Sequence, residues 1–180
     1  LPELNDEFVQ DTTEFESLKA YKKEIKSKLT SMKKDEADKK MKESVLEALI
    51  EKVEVNIPKP MIELEIDHKI NEFRNGIGAQ GLTLDSYLNY MGQSLENMRE
   101  AYRIICEKQV KGRLALEAVA EAEKIKISEK EIDEELTRIA EAYRIDKEKI
   151  ESIFGEKEKE NIIKDLKTQK ALDFLVKNSI

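Results

Sequence analysis

Three features of this sequence contain residue types that could perform chemistry: a glycine-rich stretch, a lone histidine and a lone cysteine. Residues 76–81 are Gly-Ile-Gly-Ala-Gln-Gly, which matches the G-x-G-x-x-G pattern of dinucleotide-binding turns. That chemistry requires a strand before the glycines and a helix that opens on them, so that backbone N–H groups reach the pyrophosphate. Here a segment with helical periodicity precedes the glycines, and Thr83 is the next helix-capping residue. We therefore predict a flexible turn between two helices and no nucleotide site.

His68 and Cys106 are each the only residue of their type in the chain. A zinc site needs several such ligands, and a nucleophilic cysteine needs a nearby base. Since the two residues lie on different predicted helices, we expect an exposed or partly packed His68 and a buried, inert Cys106. Carboxylate pairs such as Glu134-Glu135 are unavoidable among 39 acidic residues, and nothing indicates a desolvated pocket around one. We predict no catalytic residue, metal site or cofactor, and a chain that is not itself an enzyme.

The elements that would position any site are helices. Apolar residues at spacings of three and four predict a helix that begins after Ser17. Between Lys33 and Lys40 only Ala37 is uncharged, so this stretch either continues the helix to residue 53 or interrupts it. One helix over 17–53 would be about 55 Å long, against a diameter of about 40 Å for a compact chain of this size. A continuous helix therefore predicts an elongated fold.

Local start and stop signals divide the remainder of the chain into shorter helices, seven or so in all. The apolar residues of the second helix are Met61, Leu64, Ile66, Ile70 and Phe73, and those of the fourth are Leu95, Met98, Tyr102, Ile105, Leu114, Leu116 and Val119. No alternating strand pattern is present, so the predicted class is all-α. The signals are Pro58 and Pro60, Thr83, Gly92, Ser94, the Ser128–Glu131 capping box, Asp146 as a cap, Gly155 as a helix end, and a last helix from about residue 157.

Composition and charge restrict the class of protein. The chain has 180 residues, 39% of them charged, with only 6 Gly and 3 Pro and a net charge of −7. Such a chain is a poor default binder of nucleic acid or of an anionic membrane. The exception is residues 19–42, which contain ten lysines and four acids. This basic helix is either a solvated face or a surface for RNA or an acidic client.

Targeting features are few. No run of about 18 apolar residues is present, and the start has neither the basic nor the apolar region of a signal peptide. A lone cysteine suits a reducing cytosol, so we expect a cytoplasmic protein. Because the chain does not begin with Met, we expect it to be part of a longer protein.

Three stretches together resemble a known family. They are residues 1–8 (Leu-Pro-Glu-Leu-Asn-Asp-Glu-Phe), 55–66 (from Val-Asn-Ile-Pro to Ile-Glu-Leu-Glu-Ile) and 116–133, which contains Glu-Ala-Val-Ala-Glu-Ala-Glu-Lys-Ile and the Ser128 capping box. Their order and spacing resemble the C-terminal domain of bacterial trigger factor, the ribosome-associated chaperone. A related helical domain occurs in periplasmic SurA-like chaperones.

The resemblance implies a helical body with two protruding arms that hold unfolded or nascent polypeptides. The body would comprise about 1–57 and 156–180, arm one about 58–124 and arm two about 125–155. The family's ribosome-docking and prolyl isomerase domains have no counterpart in this sequence. The resemblance thus implies client binding without isomerase activity and ribosome contact only through a domain outside this chain. It also leaves a weak homodimer open.

Two apolar clusters on short helices are the candidate binding residues. Short helices in a thin arm cannot bury both faces, so some of these side chains should stay exposed, and exposed apolar patches mark binding surfaces. Met and Tyr suit a promiscuous surface. Three alternatives remain: the clusters are only small cores, the domain is a structural scaffold, or the lysine-rich helix contacts the ribosome or RNA. The candidates are Phe73, Leu84, Tyr87, Tyr90 and Met91, and Ile139, Tyr143, Ile150, Ile153 and Phe154.

Overall fold

The protein is all-α, as predicted. The computed structural model describes residues 3–179, with all side chains except those at 151 and 152, so Leu1 and Pro2 of the family-like leader lie outside it. Within this range there are eight helices and no strand. The helices are α1 (Asp6–Thr12), α2 (Leu18–Lys52), α3 (Lys59–Gly78), α4 (Leu84–Met91), α5 (Leu95–Ala122), α6 (Glu129–Tyr143), α7 (Lys147–Ile153) and α8 (Glu156–Lys177).

The chain divides into two compact units, Leu1–Ser44 and Val45–Ile180. The boundary between them falls within α2. In the first unit, α1 buries Val9 almost completely. The Asp6 carboxylate accepts a hydrogen bond from the Leu18 backbone N–H at 2.7 Å, which ties α1 to the start of α2. The rings of Phe15 and Tyr21 lie 5.5 Å apart and close the same junction.

Helix α2 continues through the charged stretch without a break. Lysine, glutamate and alanine all have good helix propensity. The Glu36–Lys40 pair adds an i,i+4 ion pair at 2.7 Å. The Ser17 hydroxyl accepts the Ala20 N–H at 3.3 Å, which confirms the predicted N-cap. The charged residues therefore extend a solvated helix instead of ending it.

Several predicted helix ends are confirmed by hydrogen bonds. The Thr83 hydroxyl accepts the Ser86 N–H at 3.1 Å and starts α4. Gly92 ends α4 with φ +63°, a left-handed conformation that costs glycine little. The Ser128 N–H donates to the Glu131 carboxylate at 2.9 Å, which completes the capping box of α6.

Two predicted capping residues, Asp146 and Gly155, lack the side-chain hydrogen bond or the left-handed backbone that is usual for their predicted roles. Asp146 precedes α7, but its side chain makes no capping hydrogen bond. Gly155 does not terminate α7 in a left-handed conformation. Its backbone is extended and it is the N-cap residue of α8, while Phe154 is the C-cap of α7. The predicted end of this helix at Gly155 is confirmed to within two residues, but Gly155 has a second role as the N-cap residue of α8.

The largest core cluster of the second unit joins α3, α4 and α5. Ile66 and Cys106 are completely buried in it. Not every apolar residue of these helices is buried, because Leu64 is 60% exposed and Ile105 is 52% exposed. The buried face of α3 instead repeats every four residues through Ile62, Ile66 and Ile70.

Two further clusters complete the core of this unit. One joins α6, α7 and α8 around Leu136, Ala140, Ile150 and Ile162. In the other, Leu116, Ala120 and the fully buried Ala171 form the contact between α5 and α8, with Leu46 and Leu49 of α2 packed against it. Small alanines on both helices allow their backbones to approach closely.

Candidate functional site

The glycine stretch is the end of a helix. Gly76 and Gly78 lie within α3, and Gly81 follows in a turn with φ +77°. The Leu82 N–H donates to the Ile77 carbonyl at 3.1 Å and closes the turn. No strand precedes the glycines and no helix opens on them. The predicted turn between two helices is present, but it begins after Gly78, because Gly76 and Gly78 are still helical.

The single histidine and the single cysteine lie on different helices, α3 and α5. His68 is exposed on α3. Cys106 is fully buried, and this burial raises the pKa of its thiol. Throughout the part of the chain that is described, no group of three or more His, Cys, Asp or Glu side chains is arranged to hold a metal ion. The placements predicted for His68 and Cys106 are confirmed.

The first candidate cluster has an inner and an outer side. Phe73 of α3 meets Tyr87 of α4 edge to face, with ring centroids 4.9 Å apart, and Leu84 is buried beneath them. At the end of α4, Tyr90 is 89% exposed and Met91 is 49% exposed. An eight-residue helix buries one face, so the ring and the thioether on its other side stay in water.

The second candidate cluster divides in the same way. Ile150 is buried between α6 and α7, and Ile139 and Phe154 are half-buried against it. Tyr143 is 72% exposed and Ile153 is 61% exposed. An ion pair between Asp133 of α6 and Lys147 of α7 holds the two helices together.

The structure thus separates ten candidates that the sequence treats alike. Four are open to solvent: Tyr90, Met91, Tyr143 and Ile153. Leu84 and Ile150 belong to the core, and Phe73, Tyr87, Ile139 and Phe154 pack on the edges of the two clusters. Of the ten, these four expose the largest fraction of their surface to a ligand.

Exposed apolar residues also occur where the sequence analysis placed none. Ile104 is 77% exposed and Leu82 is 47% exposed. A signal was available at Ile104, because three consecutive apolar residues on one helix, 104–106, cannot all face a core. Cys106 takes the buried position, which leaves both isoleucines outside.

Ion pairs connect α3 with α5. The Glu63 carboxylate accepts hydrogen bonds from Arg99 at 2.6 Å and Arg103 at 2.5 Å. Arg99 also donates to Asp67 at 2.6 Å. The bonds from Arg99 and then Arg103 lower the pKa of Glu63. These contacts tie α3 to α5.

A second electrostatic contact fixes the start of α6. Glu131 accepts hydrogen bonds from Lys170 of α8 and from the backbone and hydroxyl of Ser128, and together these lower its pKa to about 2. Lys170 also donates to the Lys126 carbonyl at 3.1 Å. The segment between α5 and α6 is therefore held against α8.

Comparison with known proteins identifies the family. The family model for the C-terminus of bacterial trigger factor matches residues 17–177. The chain belongs to the trigger factor family. It is 41% identical over 181 residues to the trigger factor of Shouchella clausii, and 38% identical over 179 residues to that of Bacillus subtilis. Both comparisons cover 99% of this chain and 42% of the relative, so the chain spans less than half the length of these trigger factors.

A solved trigger factor structure supports the same assignment. It aligns with 98% of this chain and 43% of its own, at a TM-score of 0.59 and 25% identity. That structure is described as showing promiscuous substrate recognition in the folding and assembly activities of the trigger factor chaperone. The predicted family and its all-α fold are confirmed. None of the helices in the described range has the length and apolar character needed to cross a membrane.

Proposed function

We propose that this chain is the client-binding part of an ATP-independent chaperone, which holds unfolded or nascent polypeptides. The observation that carries the proposal is the exposure of Tyr90, Met91, Tyr143 and Ile153 at the ends of short helices. Large apolar side chains that face water although a core cluster lies beside them are typical of a binding surface. The promiscuous substrate recognition described for the related structure supports the same function.

The binding mechanism is passive burial of apolar surface. A client segment that covers a patch gains about 25 cal/mol per Å² of buried apolar area, less the cost of ordering the chain. Two small patches therefore bind weakly one at a time. A client that reaches both gains avidity through effective concentration and still dissociates without nucleotide hydrolysis.

The predicted division into body and arms is part of this proposal. The α3–α5 cluster would form arm one, the α6–α7 pair would form arm two, and the α5–α8 contact would belong to the body. The α3–α5 cluster supports arm one, because its buried residues all lie within 58–124. The other two clusters would join arm two and arm one to α8 of the body. Ribosome contact is proposed only through a region outside this sequence.

Paired substitutions test the proposal. Tyr90→Ala with Met91→Ala, and Tyr143→Ala with Ile153→Ala, should each weaken the suppression of aggregation of an unfolded protein. The matched controls are Tyr90→Phe and Tyr143→Phe, which keep the ring and should keep the activity. Unchanged suppression by both alanine pairs, with folding intact, would show that these side chains do not bind clients.

A further inference from the structure

A cleft of about 530 Å³ lies where the end of α5 meets α8, and residues of α5, of α8 and of the segment after α5 line it. This volume falls within the range of about 300–1,000 Å³ that is typical of ligand sites. Its floor contains the buried Ala120 and the half-buried Ile125. Four lysines line it: Lys124 and Lys126 from the segment after α5, and Lys164 and Lys167 from α8.

These four lysines are not neutralised by neighbouring side chains. None of their ammonium groups forms an ion pair with another side chain in the described part of the chain. Some lysines elsewhere in this unit are paired, such as Lys108 with Glu47 at 2.7 Å and Lys170 with Glu131. A local excess of positive charge therefore lies over an apolar floor in a chain whose net charge is −7.

The walls of the cleft are held in place without a ligand. Lys170 donates to the Lys126 carbonyl at 3.1 Å and contacts Glu131, which ties the segment to α8. The Ile125 N–H donates to the Ala120 carbonyl at 2.9 Å. Lys124, which lies between them, adopts φ +52°, a backbone conformation that residues other than glycine rarely take. The site is thus preorganised, which lowers the cost of binding.

The lining also indicates which anion fits. Glu117 and Glu121 share the cleft with the lysines. Their carboxylates would repel a backbone that carries a phosphate at every position. A peptide in which acidic residues alternate with other residues can instead place backbone N–H groups beside these carboxylates, which accept hydrogen bonds. Neither arginine nor an aromatic ring lines the cleft, and single-stranded nucleic acid prefers both.

We propose that this cleft binds an acidic, extended polypeptide segment, in which Asp or Glu side chains meet the four lysines and small apolar side chains contact the floor. This inference rests on the proposed function, because the segment would belong to an unfolded client. The cleft would select clients by charge, whereas the exposed side chains at the ends of α4, α6 and α7 would bind any apolar segment.

The test is a fluorescence anisotropy titration with a ten-residue peptide in which Asp and Glu alternate with Ala and Leu. Its partner peptide carries Asn and Gln in place of every acid. The variant is Lys164→Glu with Lys167→Glu. The control, Lys28→Glu with Lys34→Glu, makes the same change in net charge at two exposed positions of α2. We expect the cleft variant to weaken acidic-peptide binding by about tenfold or more, and the control by about twofold or less.

Three results would overturn the proposal: equal losses in the two variants, equal binding of the acidic and amide peptides, or tighter binding of a ten-nucleotide oligouridylate than of the acidic peptide. A parallel titration with an uncharged, apolar unfolded client separates this proposal from the proposed function. If the apolar client binds and the acidic peptide does not, only the cleft proposal fails. If neither binds, both fail.

Discussion

Gly112 of α5 and Ile50 of α2 are in such close contact that a side chain at position 112 would meet the isoleucine. A Cβ atom placed on Gly112 would lie 3.1 Å from Cδ1 of Ile50 and 3.4 Å from Cδ1 of Leu46. The glycine is buried inside a helix, where it is intrinsically unfavourable. The absence of a side chain is therefore what allows α5 and the end of α2 to approach each other.

Substitution of Gly112 tests this contact. Gly112→Leu should destabilise the protein by about 1–3 kcal/mol through overpacking against Ile50. Gly76→Ala is the matched control, because no atom lies within 4 Å of its added Cβ. It should stabilise α3 by about 0.5–1 kcal/mol through helix propensity alone. Urea unfolding measures both, and a neutral Gly112→Leu would show that the α2–α5 contact is loose.

The two sides of α4 should differ in their effect on stability. Leu88 is 7% exposed and Tyr90 is 89% exposed on the same short helix. Leu88→Ala should cost about 2–4 kcal/mol because it leaves a cavity, and Tyr90→Ala should change the stability by less than about 0.5 kcal/mol. Thermal unfolding compares them. A similar loss in both variants would mean that Tyr90 packs against the protein.

Acid should weaken the hold of α8 on the start of α6. Glu131 has a folded-state pKa of about 2, below its ordinary value of 4.5, chiefly through Lys170. A lowered pKa contributes stability above the ordinary value, and this contribution is lost as the pH falls from 4.5 towards about 2. Glu131→Gln should therefore reduce the difference in unfolding free energy between pH 6 and pH 3.

The control for Glu131 is Glu129→Gln, which removes a carboxylate from the same first turn of α6. Glu129 makes none of the hydrogen bonds that Glu131 makes with Ser128 and Lys170. This variant should keep the pH dependence of the parent chain. An identical dependence in the parent and in Glu131→Gln would contradict the role of Glu131.

Cys106 should be unreactive in the folded protein. Its side chain is completely buried and its pKa is raised by desolvation, so little thiolate is present and none is accessible. A thiol-reactive dye should label the native chain only as fast as the α3–α5 core opens, and the urea-unfolded chain at once. Rapid native labelling would mean that this core is not closed.

Local chemistry was predictable from the sequence wherever a few adjacent residues decide the outcome. The caps at Ser17, Thr83 and Ser128 and the stop at Gly92 were predicted because each depends on hydrogen bonds or backbone preference within one turn. The N-cap role of Gly155 was not predicted, because it depends on where α8 begins and a glycine fits both a helix end and an N-cap.

Burial was harder to predict, because it depends on packing partners distant in sequence. Ile104, Ile105 and Cys106 are all apolar, and only the contact with α3 selects Cys106 as the buried one. Likewise, Leu84 and Tyr90 share a short helix, and the sequence alone does not indicate which of them faces the core. The lysine-lined cleft was not predictable either, because it combines residues 117–126 with Lys164 and Lys167.

Phe154 is neither a core residue nor an exposed one, since it packs on the α6–α7 cluster and is only half-buried. Phe154→Ala therefore cannot separate client binding from stability, whereas Tyr143→Ala can, because Tyr143 is 72% exposed. Residue-specific evidence from the unmodified chain avoids the ambiguity altogether.

The most direct test of client binding is an NMR titration of this chain with an unfolded, aggregation-prone protein. We expect shift changes that concentrate at Tyr90 and Met91 and at Tyr143 and Ile153, with the buried Leu84 and Ile150 changing little. If no resonance changes at a high client concentration, or if the changes avoid these four residues, the exposed ends of α4, α6 and α7 are not the binding surface.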